Sequence, residues 1–197
     1  MLFRSAGAVG GAAIQIAHAK GARVVALVRD AGERERIRSA RVEGVAQLDQ
    51  GDLAAVVRDL TKGRGADLAL NGVGSSVFGA MMGALARGGR QVVYSTIGGR
   101  EFALDLFAFY RNQFTLFGLD TQPLDATECA SILNELTPLF ESDSLKPPAI
   151  AEQYAFAGAG KAYERVASGK SGKVVLEISS GKEERGGMAA ATRNEKK

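Results

Sequence analysis

The sequence has little cysteine and little histidine, and it lacks any long hydrophobic run. Its single cysteine, Cys129, excludes an internal disulfide and a cysteine-rich zinc site, and its single histidine, His18, excludes a histidine cluster. No stretch reaches the roughly 18 apolar residues of a membrane helix, and the N-terminus has no basic segment followed by an apolar one. We therefore expect no membrane partner, no metal held by this chain and a cytoplasmic location.

The net charge of +3 is concentrated near the C-terminus. Residues 182–197 carry five basic and three acidic side chains, so two of the three net positive charges lie there. The same stretch has no aromatic and no β-branched apolar residue, which is typical of disordered segments. We expect residues 180–197 to form a disordered tail, with a nucleic-acid-binding arm as the alternative, and we expect the nearly neutral folded part to bind no nucleic acid.

The length and the hydrophobic content are sufficient for one folded domain. The chain has 197 residues, of which 46% are hydrophobic, and this allows a substantial core. We expect that domain to span residues 1–179.

The stretch that organises the chain is residues 5–17, a glycine-containing turn that leads into a helix of small residues and then into a strand at residues 23–28. Ser5, Gly7 and Gly10 occupy the three positions of the GxGxxG fingerprint, so the first glycine is missing. In a βαβ unit, this order places the unpaired amides and the positive dipole end of a helix where a pyrophosphate binds.

Strand and helix patterns alternate along the rest of the chain. We expect helices over residues 32–39, 52–60, 77–86, 126–140 and 159–167, and strands over 45–48, 68–70, 90–96, 114–119 and 173–178. Asp52 is a predicted N-cap, and Ser75 or Ser76 is predicted to cap the helix over 77–86. The last strand is expected to rejoin the sheet formed by the others.

This alternation predicts an α/β fold, a doubly wound parallel sheet of the Rossmann type with helices on both faces. A ligand of such a sheet binds beyond the carboxyl ends of the strands, here near Gly7, Arg29, Asn71 and Ser95. Only five residues precede Ala6, and Arg4 is poorly suited to a buried strand. The first strand is therefore expected to be largely missing, with Met1 to Ser5 a non-native start left by a truncated reading frame.

Four segments together carry a family resemblance: AGAVGGAAIQIAHAKGARVVALV, LTKGRGADLALNGVG, LARGGRQVVYSTIG and YERVASGKSGKVVLEI. In order and spacing they resemble the cofactor domain of the medium-chain dehydrogenase/reductase superfamily, and most of all its zinc-independent quinone-oxidoreductase branch. The resemblance covers roughly residues 6–178. It implies an NAD(P)H-dependent oxidoreductase that transfers hydride to a quinone or an α,β-unsaturated carbonyl. It also implies that the GroES-like catalytic domain of the superfamily, which contributes most substrate contacts, is absent from this chain.

The choice of cofactor is read at the end of the second strand. NAD-binding sites place an acidic residue there, and a basic residue accommodates the 2′-phosphate of NADP. Val28 stands at the expected position of the acid and Arg29 follows it, which favours NADPH over NADH. The alternatives are that Arg29 is simply solvated, or that Asp30 pairs with it or binds the ribose itself.

The resemblance assigns the remaining cofactor contacts position by position. They are the pyrophosphate loop Gly7, Ala8, Val9 and Gly10; the ribose loop Asn71, Gly72 and Val73; the nicotinamide segment Ser95, Thr96 and Ile97; the carboxamide positions Thr115 and Phe117; and the phosphate-side Lys173. Asn71 is alternatively a turn residue bonded to its own backbone, and Lys173 is alternatively an ordinary exposed lysine. No catalytic residue is assigned, and Tyr94 and Tyr110 are interpreted as packing residues.

Residues 114–119, FTLFGL, have strand character. In the resembled family the corresponding strand pairs with its copy in a second subunit, so we expect a homodimer through residues 114–119. The resemblance also implies a small-molecule substrate. Two other functions remain open. One is a non-catalytic dinucleotide-binding module, and the other is the NAD-binding cofactor domain of a zinc-type alcohol dehydrogenase. A methyltransferase of the same fold is a weaker third alternative, because the C-terminal segments resemble the dehydrogenase ending.

Overall fold

The structure is a computed structural model that describes residues 2–3, 5, 7–37, 41–48, 51–168 and 172–178. The expected tail, residues 180–197, lies outside the described residues. The chain divides into two compact units, Met1–Pro148 and Ala149–Lys197. No helix within the described ranges is both long enough and apolar enough to cross a membrane.

The first unit alternates strand and helix. Its strands are β1 (Leu2–Phe3), β2 (Val25–Val28), β3 (Gly44–Gln47), β4 (Ala66–Asn71), β5 (Leu85–Val93) and β6 (Thr115–Gly118). Its helices are α1 (Ala8–Ala19), α2 (Ala31–Arg36), α3 (Leu53–Leu60), α4 (Ser75–Gly83), α5 (Leu106–Arg111) and α6 (Ala126–Glu141).

The six strands form one parallel sheet in the order β3-β2-β1-β4-β5-β6. This is the strand order of a Rossmann fold, and its direction of winding reverses between β1 and β4. The first strand, expected to be largely missing, is represented at the centre of the sheet by the two residues of β1. Leu2 lies opposite Ala26 on one side and Leu70 on the other.

The side chains of β2 show that helices cover both faces of the sheet. Val25 and Leu27 belong to a buried cluster with residues of α3 and α4, whereas Ala26 and Val28 pack with Ile37, which follows α2. Successive residues of a strand point to opposite faces, so the two clusters lie on opposite sides. The near-continuous burial of β2 is what a strand covered on both faces requires. The predicted doubly wound fold is confirmed.

Aspartates cap four of the helices. The carboxylates of Asp30, Asp52, Asp105 and Asp125 each accept a backbone N–H in the first turn of the helix that follows. The predicted cap Asp52 is confirmed, because its carboxylate accepts from Ala54 N at 2.8 Å. The predicted serine cap of α4 is wrong: Gly74 occupies the N-cap position, with no side-chain cap.

The boundary between α4 and β5 also differs from the sequence prediction. The helix ends at Gly83, not at residue 86, and the strand begins at Leu85, not at residue 90. Gly65 explains this early start, because a Cβ at Gly65 would lie 2.7 Å from the backbone nitrogen of Ala86. Only a glycine permits so close an approach, and it lets Ala66 pair with Leu85 ahead of the main register of β4 and β5.

Gln91 is an unusual residue in the centre of β5. It is fully buried, and neither polar atom of its side chain has a hydrogen-bonding partner among the described residues. A buried polar group without a partner costs about 1–3 kcal/mol. We expect Gln91→Met to raise the free energy of unfolding by about 1–2 kcal/mol in a urea titration, whereas the same change at the exposed Gln122 alters it by less than about 0.5 kcal/mol. A destabilised Gln91→Met variant would contradict this expectation.

The second unit contains β7 (Ile150–Ala155), a 3₁₀ turn (Phe156–Gly158), α7 (Ala159–Ala167) and β8 (Lys173–Glu177). The expectation that the last strand rejoins the main sheet is wrong, because β8 pairs in parallel with β7 in a separate two-stranded sheet. The sequence pattern predicted no strand over residues 150–155, which supply this partner.

The Tyr154 hydroxyl donates to the Glu152 carboxylate at 2.5 Å, and this bond raises the pKa of Tyr154.

Candidate functional site

The candidate site lies at the carboxyl edge of the six-stranded sheet, where the strands are in register. Phe3 of β1 lies opposite Leu27 of β2, and Val93 of β5 lies between Asn71 of β4 and Gly118 of β6. Because parallel strands end at the same edge, the segments that follow β1, β2, β4 and β5 are neighbours. The segments after β1 and β4 flank the point where the winding reverses.

The segment after β1 leads into α1 through Ser5 and Gly7. Ser5 is buried, and it exchanges two hydrogen bonds with Leu27: its N–H donates to Leu27 O at 3.3 Å, and its Oγ accepts from Leu27 N at 3.2 Å. Ser5 stands where the GxGxxG fingerprint has its first glycine. Its two bonds to Leu27 extend the pairing of β1 with β2.

The first turn of α1 is open to a ligand. Its N-cap, Gly7, has no side chain to accept the first amides, and the turn contains no acidic residue. Gly7, Ala8 and Val9 are exposed, whereas Gly10 is buried. Amides at a helix start that lack a side-chain partner, together with the positive end of the helix dipole, attract an anion. The residues present therefore fit the pyrophosphate of a dinucleotide.

The segment after β2 carries an ion pair. Arg29 Nε donates to Glu33 Oε1 at 2.8 Å, and Arg29 N donates to Glu33 Oε2 at 2.9 Å. The Glu33 side chain is 5% exposed and the Arg29 side chain 57% exposed. Asp30, the alternative ribose acid, accepts from Glu33 N at 2.9 Å as the cap of α2. Arg29 is therefore held at the edge of the site with its outer face in solvent.

The segment after β4 is a tight loop organised by Asn71. Its Oδ1 accepts from Val73 N at 3.0 Å and Gly74 N at 2.8 Å, and its Nδ2 donates to Gly74 O at 3.0 Å. Asn71 is completely buried. The side chain thus adopts the local turn geometry that the sequence analysis left open as the alternative to a ribose contact.

The segment after β5 is bound to this loop through backbone hydrogen bonds. Tyr94 N donates to Asn71 O at 3.0 Å, Gly98 N donates to Val73 O at 2.6 Å and Ser75 N donates to Gly99 O at 3.0 Å. The two loops therefore form one wall of the site. Thr96 and Ile97 are exposed on it, and Ser95 is half-buried.

Two of the expected contacts in the first unit contribute no side chain to this edge, and a third, Lys173, belongs to the second unit. Val28 is completely buried against Ile37, so its side chain points into the core. Thr115 begins β6 opposite Arg90, about 10 Å of strand before its carboxyl end at Gly118. Lys173 is an exposed residue of the second unit, where it pairs with Ile150. Phe117, half-exposed, lies one residue before the carboxyl end of β6.

Two features of the wall were not predicted from the sequence. Gly74 has φ +107°, and a Cβ there would lie 2.3 Å from Gly99 O. The Tyr94 ring covers Gly72, and a Cβ at Gly72 would lie 2.3 Å from the hydroxyl oxygen of Tyr94. The string Asn-Gly-Val-Gly signals such a loop, because glycines at close spacing after a strand mark close backbone approach.

A cleft of about 350 Å³ lies at the opposite edge of the sheet, among residues that precede or begin β2 and β4, such as Arg23, Val24 and Ala66. It is separate from the candidate site. Within the described part of the chain, no group of three or more His, Cys, Asp or Glu side chains is placed to hold a metal ion.

These features define a Rossmann-type domain whose ligand site is the carboxyl edge of the sheet. A sequence profile described as zinc-binding dehydrogenase matches residues 8–135. The chain belongs to that family, as the cofactor-binding domain of a medium-chain dehydrogenase/reductase.

The curated relatives are much longer proteins. A phthioceranic/hydroxyphthioceranic acid synthase of Mycobacterium bovis is 32% identical over 186 residues, which cover 90% of this chain and 8% of the synthase. A mycocerosic acid synthase-like polyketide synthase of Mycobacterium tuberculosis is 28% identical over 185 residues, which cover 90% of this chain and 9% of that protein. The chain thus spans less than a tenth of either relative.

This chain covers about half of the length of the similar solved structures. A mycobacterial quinone oxidoreductase has a TM-score of 0.79 and 25% identity, over 89% of this chain and 55% of that protein. A mycobacterial protein complexed with NADPH has a TM-score of 0.74 and 25% identity, over 89% and 56%. An NAD-dependent alcohol dehydrogenase has a TM-score of 0.74 and 26% identity, over 90% and 50%.

Proposed function

We propose that the chain binds NADPH across the carboxyl edge of its sheet, as the cofactor domain of an oxidoreductase that reduces a quinone or an α,β-unsaturated carbonyl. The observation that carries the proposal is the open start of α1, with no side-chain cap and no acidic residue in its first turn, at the reversal point of the sheet. Relatives described as a quinone oxidoreductase and as complexed with NADPH support it.

Three parts of the coenzyme have a matching group on this chain. The amides of Gly7, Ala8 and Val9 bind the pyrophosphate, and Arg29 binds the 2′-phosphate. The wall formed by the loops after β4 and β5 orients the nicotinamide end. When bound, the reduced nicotinamide supplies the hydride. The chain's own residues bind and orient, and no proton-transfer residue is assigned to it.

NADPH binding followed by turnover tests this proposal. Nicotinamide fluorescence measures binding to the full chain, and oxidation of NADPH with a quinone measures turnover. Binding with turnover identifies an enzyme, and binding without turnover identifies a dinucleotide-binding module. A folded chain that binds neither NADPH nor NADH contradicts the proposal.

Arg29→Ala is expected to weaken NADPH binding by about 10-fold to 100-fold, because a hydrogen bond to a charged group contributes roughly 1.5–3 kcal/mol. The affinity for NADH, which lacks the 2′-phosphate, is expected to change less than about twofold. The matched control is Arg34→Ala, which removes the same charge from an exposed position of α2. Equal affinity of the unaltered chain for the two coenzymes would exclude the preference for NADPH.

A homodimer through residues 114–119 and a cytoplasmic location complete the proposal. β6 is an edge strand with all four residues exposed, and Leu116 and Phe117 present apolar side chains there. An unpaired apolar edge favours pairing with a second copy. Sedimentation at micromolar concentration is expected to show a dimer that Phe117→Lys dissociates, and a monomeric unaltered chain refutes it. Cell fractionation tests the location.

A further inference from the structure

Glu33 is a buried acid whose position is fixed from two sides. The residue is 4% exposed, in the first turn of α2, where the helix dipole favours a negative charge. Its backbone N–H donates to the capping carboxylate of Asp30 at 2.9 Å. A buried carboxylate requires hydrogen-bond donors, and two of those that Glu33 receives come from Arg29.

The two bonds fix both the backbone and the side chain of Arg29. One carboxylate oxygen accepts the backbone N–H, and the other accepts Nε of the guanidinium. A guanidinium is a rigid plane, so a bond at Nε sets the orientation of the two terminal nitrogens. The Arg29 side chain remains 57% exposed, so the terminal nitrogens are accessible from the solvent side.

We propose that Glu33 is a positioning residue that holds Arg29 ready for a phosphate monoester on the coenzyme ribose. This rests on the proposed binding of NADPH. A long arginine side chain loses rotamer freedom when it binds an anion, and the Glu33 contact removes that freedom before the ligand arrives. Glu33 therefore determines the selectivity for NADPH through Arg29, without touching the coenzyme itself.

Glu33 also has an electrostatic effect that weakens the binding of a phosphate, opposite to the effect of positioning Arg29. Glu33 is negatively charged, and a negative charge near the site repels a phosphate. Its side chain is 5% exposed and is paired with Arg29 Nε, whereas the Arg29 side chain is 57% exposed. Because the negative charge is buried and paired and the positive charge is accessible, positioning is expected to outweigh repulsion.

The test is a double-mutant cycle on the full chain, with dissociation constants for NADPH and NADH. Glu33→Gln is expected to weaken NADPH binding about fivefold and to change NADH binding less than about twofold. In an Arg29→Ala background, Glu33→Gln is expected to change NADPH binding less than about twofold. A variant that loses its fold binds both NADPH and NADH more weakly. The ratio of the two dissociation constants therefore separates positioning from a purely structural role. Glu35→Gln, on the same helix, is the control for net charge.

Arg29→Lys provides a second test that leaves Glu33 in place. Lysine keeps the charge but has neither Nε nor the fork, so it is expected to lose the preference for NADPH nearly as fully as alanine does. The positioning role is overturned if Glu33→Gln binds NADPH more tightly or leaves the ratio of the NADPH and NADH dissociation constants unchanged. It is also overturned if Glu33→Gln has an equal effect in the Arg29→Ala background, or if Arg29→Lys keeps the full preference for NADPH. If the unaltered chain shows no preference for NADPH, the proposed function fails in this respect and the positioning role fails with it.

Discussion

Replacing Gly74 by alanine is expected to lower the free energy of unfolding by about 3 kcal/mol or more, measured by urea denaturation. Gly74 has φ +107° and ψ −144°, a conformation that is essentially restricted to glycine. A Cβ at this position would lie 2.3 Å from Gly99 O and 2.9 Å from Thr96 Cα, and neither backbone atom moves without shifting the loop after β5. The substitution therefore separates the two loops that form the wall of the site.

Gly88→Ala is the matched control. Gly88 also has a positive φ, +74°, but no atom lies within 4 Å of a Cβ built there. Gly88→Ala therefore measures the effect of backbone strain alone, which is expected to lower the free energy of unfolding by about 1 kcal/mol. If the two variants lose the same stability, the close contact between the loops contributes nothing and the described wall is wrong.

Replacing Ala8 by aspartate is expected to weaken NADPH binding by about a hundredfold or more and to leave the fold intact. Ala8 is exposed at the first position of α1, where an acidic side chain stabilises the helix by about 0.3–1 kcal/mol. The same carboxylate lies beside the proposed pyrophosphate site, where two like charges about 4 Å apart repel by roughly 4 kcal/mol. Ala8→Asp is thus expected to raise the stability of the helix and to lower the affinity for NADPH.

Ala12→Asp is the control for this substitution, because it introduces the same charge at an exposed position one turn further along α1. It is expected to change NADPH binding by less than about threefold, since the repulsion falls with distance and is screened by salt. Unchanged binding by Ala8→Asp in a folded protein would place the coenzyme elsewhere.

The fold was largely predictable from the sequence because its signals are local. The helix predicted over 159–167 has the same bounds in α7, and the helix predicted over 126–140 ends one residue later in α6. Apolar runs between turn residues indicate β2, β3, β4 and β6 of the main sheet, whereas β7 was not predicted. The α4 to β5 boundary was not predictable, because Gly88 and Gly89 resemble a helix stop and nothing local shows that Gly65 approaches the backbone of Ala86.

The chemistry of the site was less predictable than its location. The sequence indicated the edge of the sheet at which the candidate site lies, because strand ends and a glycine turn mark that edge. It did not decide between a ribose contact and a local turn for Asn71, whose amide bonds Val73 and Gly74 in the structure. Nor did it reveal that Glu33 is buried, since a charged residue in a charged helix is usually solvated. Both depend on hydrogen bonds whose geometry exists only after folding.

Calorimetric titration of the full chain with NADPH, on material whose circular dichroism shows the folded α/β spectrum, tests the central claim most directly. The amides at the start of α1 are expected to bind one NADPH per chain with measurable heat, and NADH is expected to bind more weakly. A folded chain that releases and absorbs no heat with either coenzyme would contradict the account.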